Sequence, residues 1–474
     1  MLGCIEELGR DCVRQGASQQ AAGRVLRHII SQLACLGRHT ITGQLATAGR
    51  LFVDWSADYR LYSQARVDPQ EMFAQLQLAA LEQLPNEHPV VVALDDTRIK
   101  KWSKKTPGVQ YFRDPLGPKF HVNLMLAQRF IQQSLAISDG QGSARMVPVG
   151  FNHAPVPVKP RRPAPPEEWQ AYRQAQRELA LSTVGAQQVQ RLRENLDACA
   201  AGRDRMLVSV VDGGYTNRRF LTQLPDNCTA IGRIRGDAKL YQLPDGQPAA
   251  GRRRIYGDEA PTPEQLRADD RVAWREITVQ HNQQPMRMRV KSLTGLRWRA
   301  TGERHVLRLV VIAPLGYRIN AGGKRLYRKP AYLICTDPDL PVAEVVQYYI
   351  WRWGIEVNFR DEKTLIGVGQ AEVHNPSSVE RVPALQVLAY GILLVAAIKT
   401  YGLQDMQLSL PSPRWQNKPP KQVSSQQLVN QLRHDLWSDN LRFSDFVTPT
   451  AAPMNCEKPC WLPAPALFYG AACA

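Results

Sequence analysis

Val90-Val91-Val92-Ala93-Leu94-Asp95-Asp96-Thr97 is the stretch that decides the fold. An unbroken apolar run rich in β-branched valine describes a strand buried on both faces, and the acids mark where it leaves the sheet. Met206-Leu207-Val208-Ser209-Val210-Val211-Asp212 repeats the pattern further along the chain. Open α/β sheets bind their ligands beyond the carboxyl ends of their strands, so Asp95 and Asp212 are candidate site residues. Taken singly, either acid is better explained by the turn it starts.

Working outward, residues 1–88 read as helical, with Val25, Ile29, Ile30 and Leu33 at near-helical spacing and Gly37, Gly43 and Gly49 as breaks. They form either a small DNA-end-binding unit or a helical cap on the core. Residues 89–235 read as β-β-β-α-β-α-β, the order of a mixed α/β sheet of ribonuclease-H type. Within them, Pro-Glu-Glu at 166–168 has the composition of a helix's first turn. Residues 236–330 look like an all-β insertion. There Met286-Arg287-Met288-Arg289-Val290-Lys291 alternates apolar and basic strictly, which predicts a strand with one buried and one cationic face. Residues 331–402 return to the core. They open with one long helix running from about Pro341 to Leu365, followed by an apolar helix near Ser378–Tyr401 whose most apolar stretch is Ala384–Ile398. That stretch holds Gln386 and is too short to span a bilayer, so it reads as a buried helix and no membrane partner is expected. Residues 403–474 are a Pro-rich basic linker, one helix near Ser425–Trp437 and a polar tail, a candidate dimer contact.

The 474 residues carry 60 Lys and Arg against 43 Asp and Glu, a net charge of +17 with pI near 9.6, and 45 of the cations are Arg. Arginine's planar fork suits phosphate, so a polyanion partner, DNA first, is expected. Residues 228–332 alone contribute +12 of the +17, favouring a phosphate-binding surface there over a merely solvated sheet face. A hydrophobic fraction of 44% excludes global disorder. Met1–Cys12 carries acids where a secretory signal needs cations. The nine cysteines are scattered; Cys456 and Cys460 are the one close pair, a weak basis for structural zinc. Free thiols and a cytoplasmic location, nucleoid-associated when bound to DNA, are the expectation.

Tyr349, Arg352, Glu356 and Lys363 carry the most specific signal. On one helix their offsets of 0, 3, 7 and 14 place them within a stripe roughly 60° wide. An ion-paired solvent face would explain Arg352 and Glu356. It would not call for a tyrosine in line, nor for Trp351, Trp353, Ile355 and Phe359 around it. One carboxylate flanked by two cations and a phenol suits a metal-bound phosphodiester.

These blocks, VVALDDT, VVDGGYTN and YYIWRWGIEVNFRDEKTLIGVGQ, resemble the three acidic motifs of DDE transposases. The nearest class is the insertion-sequence cut-and-paste family whose third motif reads Tyr-x2-Arg-x3-Glu-x6-Lys. The resemblance spans roughly Val90 to Ile398. It implies a ribonuclease-H-like core in which Asp95, Asp212 and Glu356 bind two Mg²⁺ ions, with Mn²⁺ tolerated, for in-line displacement at phosphorus. The doublet leaves the first ligand open between Asp95 and Asp96. The family's Asp-x-Thr pattern and strand alternation both favour Asp95. The resemblance further implies that Tyr349, Arg352 and Lys363 grip the 5′-phosphate, and that a homodimer holds two terminal inverted repeats and a target duplex. Trp353 and Tyr332 are candidates for stacking on a displaced base, though core packing is the stronger expectation for both. Arg287, Arg289 and Lys291 are the candidate DNA-binding face of the insertion. A nuclease without strand transfer and a catalytically retired DNA-binding protein are the competing readings.

Overall fold

The two apolar runs lie side by side at the centre of one sheet in the computed structural model. It describes residues 1–437, except 115–116, 118–119, 121, 141, 247–252, 282–283, 321, 405, 407 and 411–421. The cysteine pair Cys456/Cys460, the linker and the tail lie outside the described residues. The chain opens with α1 (Leu2–Gly16), α2 (Gln19–Ala34), α3 (Ile41–Thr47), α4 (Ser56–Ser63) and α5 (Pro69–Leu81). Next come β1 (Val90–Lys100), β2 (Gln110–Arg113), β3 (Leu124–Ser138), β4 (Ala144–His153), α6 (Pro166–Glu178) and α7 (Leu181–Ala198). They lead into β5 (Leu207–Val211), α8 (Arg218–Leu221), β6 (Cys228–Arg233) and β7 (Tyr241–Gln242). After α9 (Pro263–Ala268) come β8 (Arg275–His281), β9 (Gln284–Arg297), β10 (Leu307–Ile312), β11 (Gly316–Tyr317), β12 (Leu326–Tyr327) and β13 (Ala331–Cys335). The described chain closes with α10 (Val342–Trp351), α11 (Trp353–Thr364), α12 (Ser378–Tyr401) and α13 (Ser425–Trp437).

β1 runs parallel to β5 with Leu94 opposite Val211, and β5 runs parallel to β6 with Val211 opposite Gly232. On its other side β1 pairs antiparallel with β3, which pairs with β4. Every residue of Val90–Leu94 and Leu207–Val211 is buried, as a strand covered on both faces requires. This mixed sheet with helices at both ends of the chain is consistent with a ribonuclease-H-like fold.

Beyond β6 the sheet does not stop. β13, β10 and β9 continue it, so strands expected as a separate insertion extend the central sheet to eleven strands among the described residues. The segment expected to be all-β also contains α9. Its start is written in Thr262-Pro263-Glu264-Gln265: Thr262 and Gln265 form a reciprocal capping box, with proline in the first turn. The single long helix expected after Pro341 is two helices, α10 and α11, joined at Arg352. There the turn tightens, Ile355 N donating to Arg352 O at 3.0 Å, and Gly354 lies so close to Met146 that a Cβ would sit 2.4 Å from its side chain.

α12 is the structural axis. It is long and apolar enough to span a bilayer, yet 94% of its apolar window is buried inside the protein. It packs on β4, α1, α2 and α5, so the N-terminal helices share one hydrophobic cluster with the sheet. α4 is keyed into that cluster by Asp58, whose carboxylate accepts from His28 Nε2 at 2.9 Å.

Candidate active site

Parallel register fixes the first two acids. Asp95 and Asp212 each come directly after the paired residues Leu94 and Val211, which puts them next to each other at the sheet's carboxyl edge. Asp95 lies opposite Gln132 of β3, and Gln132 Nε2 donates at 2.8 Å to Glu362, a fully buried carboxyl of α11. Asn358 Nδ2 donates to Met146 O at 3.0 Å. These bonds lay α11 across β3 and β4 at the level of Asp95. Burial pushes Glu362 up to about 8, against the pull of its Gln132 hydrogen bond.

Across this packing Arg352 reaches down from the α10–α11 junction. Its Nη1 donates to Asp95 Oδ2 at 3.0 Å, with the two side chains 12% and 16% exposed. The same guanidinium stacks over the Tyr349 ring, 5.6 Å from its centroid. Burial pushes Asp95 up to about 7; Arg352 pulls it down, while Glu356 and Asp96 raise it further. Asp96, on the opposite face of β1, is also raised by burial, partly offset by Arg98 and Arg129, and it feels Asp212. Glu356 is exposed on α11. Lys363, two turns further on, is lowered by burial and raised by Glu362 and then Glu356. The four acids therefore form a chain of neighbours, Glu356 acting on Asp95, Asp95 beside Asp96, and Asp212 acting on Asp96, with Arg352 and Lys363 as counter-charges on the Glu356 side.

The gathering stops short of ligation. Among the described residues no three His, Cys, Asp or Glu side chains are grouped closely enough to hold a metal ion. The chemistry nevertheless fits a hard divalent cation, because the donors are all carboxylate oxygens. Two buried polar atoms beside them, Arg352 Nε and the Tyr215 hydroxyl, have no hydrogen-bond partner among the described residues.

Tyr215 is a site residue that the sequence reading does not reach, although it sits inside the VVDGGYTN block. It is 2% exposed, and its phenol is pushed far up by burial, then by Asp96, Asp95 and Asp212. A tyrosine three residues after a strand-end acid was the available signal. Arg129, on the strand facing β1, carried none.

The remaining candidates divide. Trp353 is 64% exposed beside Arg352, so the core-packing expectation fails for it. Tyr332 is 9% exposed and its hydroxyl donates to Glu264, so it packs on α9. Arg287 and Arg289 are exposed on β9. Lys291 is not: it is 1% exposed, and its Nζ donates to Leu266 O at 3.2 Å, Arg267 O at 3.1 Å and Asp269 O at 2.7 Å. It caps the last turn of α9, where orphan carbonyls and the helix dipole favour a cation. The predicted cationic face therefore ends at Arg289, because α9 covers the strand beyond it.

Asp212 follows the end of β5 as expected, but Asp95 does not end its strand, because β3 keeps β1 paired as far as Lys100. These two neighbouring acids, one of them tied by an arginine to a Glu-bearing helix, define a carboxylate site on a ribonuclease-H-like sheet. Residues 12–287 match the family described as DDE superfamily endonuclease, and the chain belongs to that family. The match includes Asp95, Asp96 and Asp212, while Glu356 lies beyond it. Enzymes of this superfamily are nucleases that act on DNA and generally use divalent metals. No curated protein matches the chain.

Proposed function

We propose that this endonuclease is a DNA transposase of a bacterial insertion sequence, cutting at the terminal inverted repeats of its own element and joining the freed ends to target DNA. The observation that carries the reading is the Arg352–Asp95 bridge. It ties the Tyr-x2-Arg-x3-Glu-x6-Lys helix to the neighbouring acids of the sheet, which a solvated ion-pair face would not do. Asp95, Asp212 and Glu356 would hold two Mg²⁺ ions, with Mn²⁺ as a substitute. Bound there, the metal supplies an activated water or 3′-hydroxyl and stabilises the leaving oxygen. Asp95 is preferred over Asp96 because its partner Gln132 lies under α11, the helix that bears Glu356.

The chain's own residues hold the DNA. Arg352 uses Nη1 on Asp95 and keeps the rest of its guanidinium fork for phosphate oxygens, while its Nε is buried. Tyr349 stacks on that guanidinium and fixes its plane. Lys363 adds a second cation on the same helix. Trp353 offers an exposed ring for a base displaced beside the cut, as hairpin-forming cleavage requires. Two ends must be brought together, so a homodimer on DNA in the cytoplasm is the working state, with α1–α5 or the tail as candidate end-binding and dimer contacts.

The deciding experiment incubates purified protein with its element's end, a target duplex and Mg²⁺, and resolves products on a denaturing gel. Cleavage at the terminus and then strand joining are expected. Cleavage without joining would point to a plain nuclease, and binding without cleavage to a retired transposase. Salt offers a separate check. Binding should weaken with a log–log slope on the order of −0.9 per phosphate neutralised, and Arg287→Ala with Arg289→Ala should make that slope shallower by roughly 2. An unchanged slope would show that β9 faces solvent in the complex.

A further inference from the structure

β1 continues past the acids as far as Lys100, and the chain then makes a projecting tongue whose return strand, β2, pairs with the start of β3 (Gln110 opposite Ala127, Arg113 opposite Leu124). Large rings stand open on it: Trp102 is 77% exposed and Tyr111 55%. Each has an ammonium held over it, Lys100 Nζ at 4.6 Å from the Trp102 ring and Lys104 Nζ at 5.7 Å from Tyr111. Lys100–Arg113 contains five Lys or Arg and no acid.

The tongue is a fixed device rather than a loose loop. Lys101, 4% exposed, donates to Gly369 O at 3.3 Å and Ala371 O at 2.9 Å, in the connector after α11. Gln128 Nε2 donates to Pro107 O at 2.8 Å, and Gln110 Nε2 to Val156 O at 2.7 Å. Exposed rings each with an ammonium over one face, in a stretch of sequence without an acid, match nucleic acid, which offers a line of phosphates to the cations and, where bases are unpaired, flat faces to the rings.

We propose that this tongue is a second DNA-contacting element, laying Trp102 and Tyr111 against the DNA away from the bond that is cut. The proposal rests on the reading of the acid site as a DNA endonuclease. Five residues of extended strand from Asp95 to Lys100 span about 17 Å, which keeps the rings clear of the acids. The rings serve position and affinity, not chemistry, and they contact DNA whether or not it is cleaved.

The test uses the full chain and a fluorescein-labelled duplex bearing the element end, with affinity read by anisotropy. Trp102→Ala with Tyr111→Ala should weaken binding by roughly tenfold or more, since each stacked ring contributes severalfold. Trp102→Phe with Tyr111→Phe should restore affinity to within about threefold of wild type, because a ring and not its polar edge is what stacks. A photo-crosslinking residue at position 102 should label DNA. Both rings are exposed, so folding is checked by an unchanged melting curve. Equal affinity of wild type and the double alanine variant, or a crosslink to protein in place of DNA, overturns the proposal and leaves the endonuclease reading standing. Failure of the wild-type chain to bind any DNA overturns both.

Discussion

Asp212→Ala or Glu356→Ala should abolish metal-dependent cleavage of element ends while leaving DNA affinity within a few-fold of wild type. The asymmetry comes from where the charges sit. Removing either acid takes a hard oxygen donor from a site whose carboxylates are the only metal-binding chemistry on that edge among the described residues, while Arg352, Lys363, Arg287 and Arg289, the cations proposed to hold phosphate, are left in place. Losing a single transition-state-stabilising donor costs about 10²–10³ in rate. Losing a metal ligand should cost more, so the expected fall exceeds about a thousandfold. Denaturing gels measure the cleavage and a mobility shift the binding; cleavage near the wild-type rate in either variant refutes the assignment. The same assay separates the doublet. Asp95→Ala should be as severe as Asp212→Ala, because Asp95 lies under α11 with Glu356, and Asp96→Ala should retain measurable cleavage.

Gly391 is the site of the second large effect. A Cβ there would sit 2.6 Å from the backbone oxygen of Pro148 in β4 and 2.6 Å from Leu76 Cδ2 in α5. Replacing helical glycine by alanine ordinarily stabilises a helix by about 1 kcal/mol. Here the clash is with main chain, which cannot swing aside, and overpacking costs about 1–3 kcal/mol. The clash wins, so Gly391→Ala should lower stability in urea unfolding. Gly391→Leu, which adds a whole side chain between α12 and the sheet, should leave little soluble protein. A Gly391→Leu variant with the wild-type unfolding midpoint would mean that α12 does not lie against β4.

The parts legible in the sequence were those that local pattern alone determines. Val90–Leu94 and Leu207–Val211 are buried along their whole length, so their hydrophobicity announced both strands and the acids that follow the apolar runs, though not that β1 continues beyond its acids to Lys100. The Tyr349–Lys363 spacing was legible because helical periodicity carries it. Other features were not, for physical reasons. Lys291 belongs to a strict alternation, and only a neighbour distant in sequence, α9, turns that position inward. α9 itself was written in a capping box that a search for strands passes over. The break at Arg352 depends on how closely Gly354 can approach Met146, a matter of packing and not of propensity. Arg129 joins the site through the sheet's strand order, which no local window contains, whereas Tyr215 stood within the VVDGGYTN block three residues after Asp212.

One consequence of α12's position concerns synthesis. α1 and α2 bury part of their apolar faces against a helix that leaves the ribosome roughly 340 residues later, an interval on the order of 17–70 s at ordinary elongation rates. Until then α5 and the neighbouring N-terminal helices are their only permanent cover. Messages cut short before residue 378 should yield chains that chaperones retain and proteases clear, so production of the enzyme is limited by completion of translation.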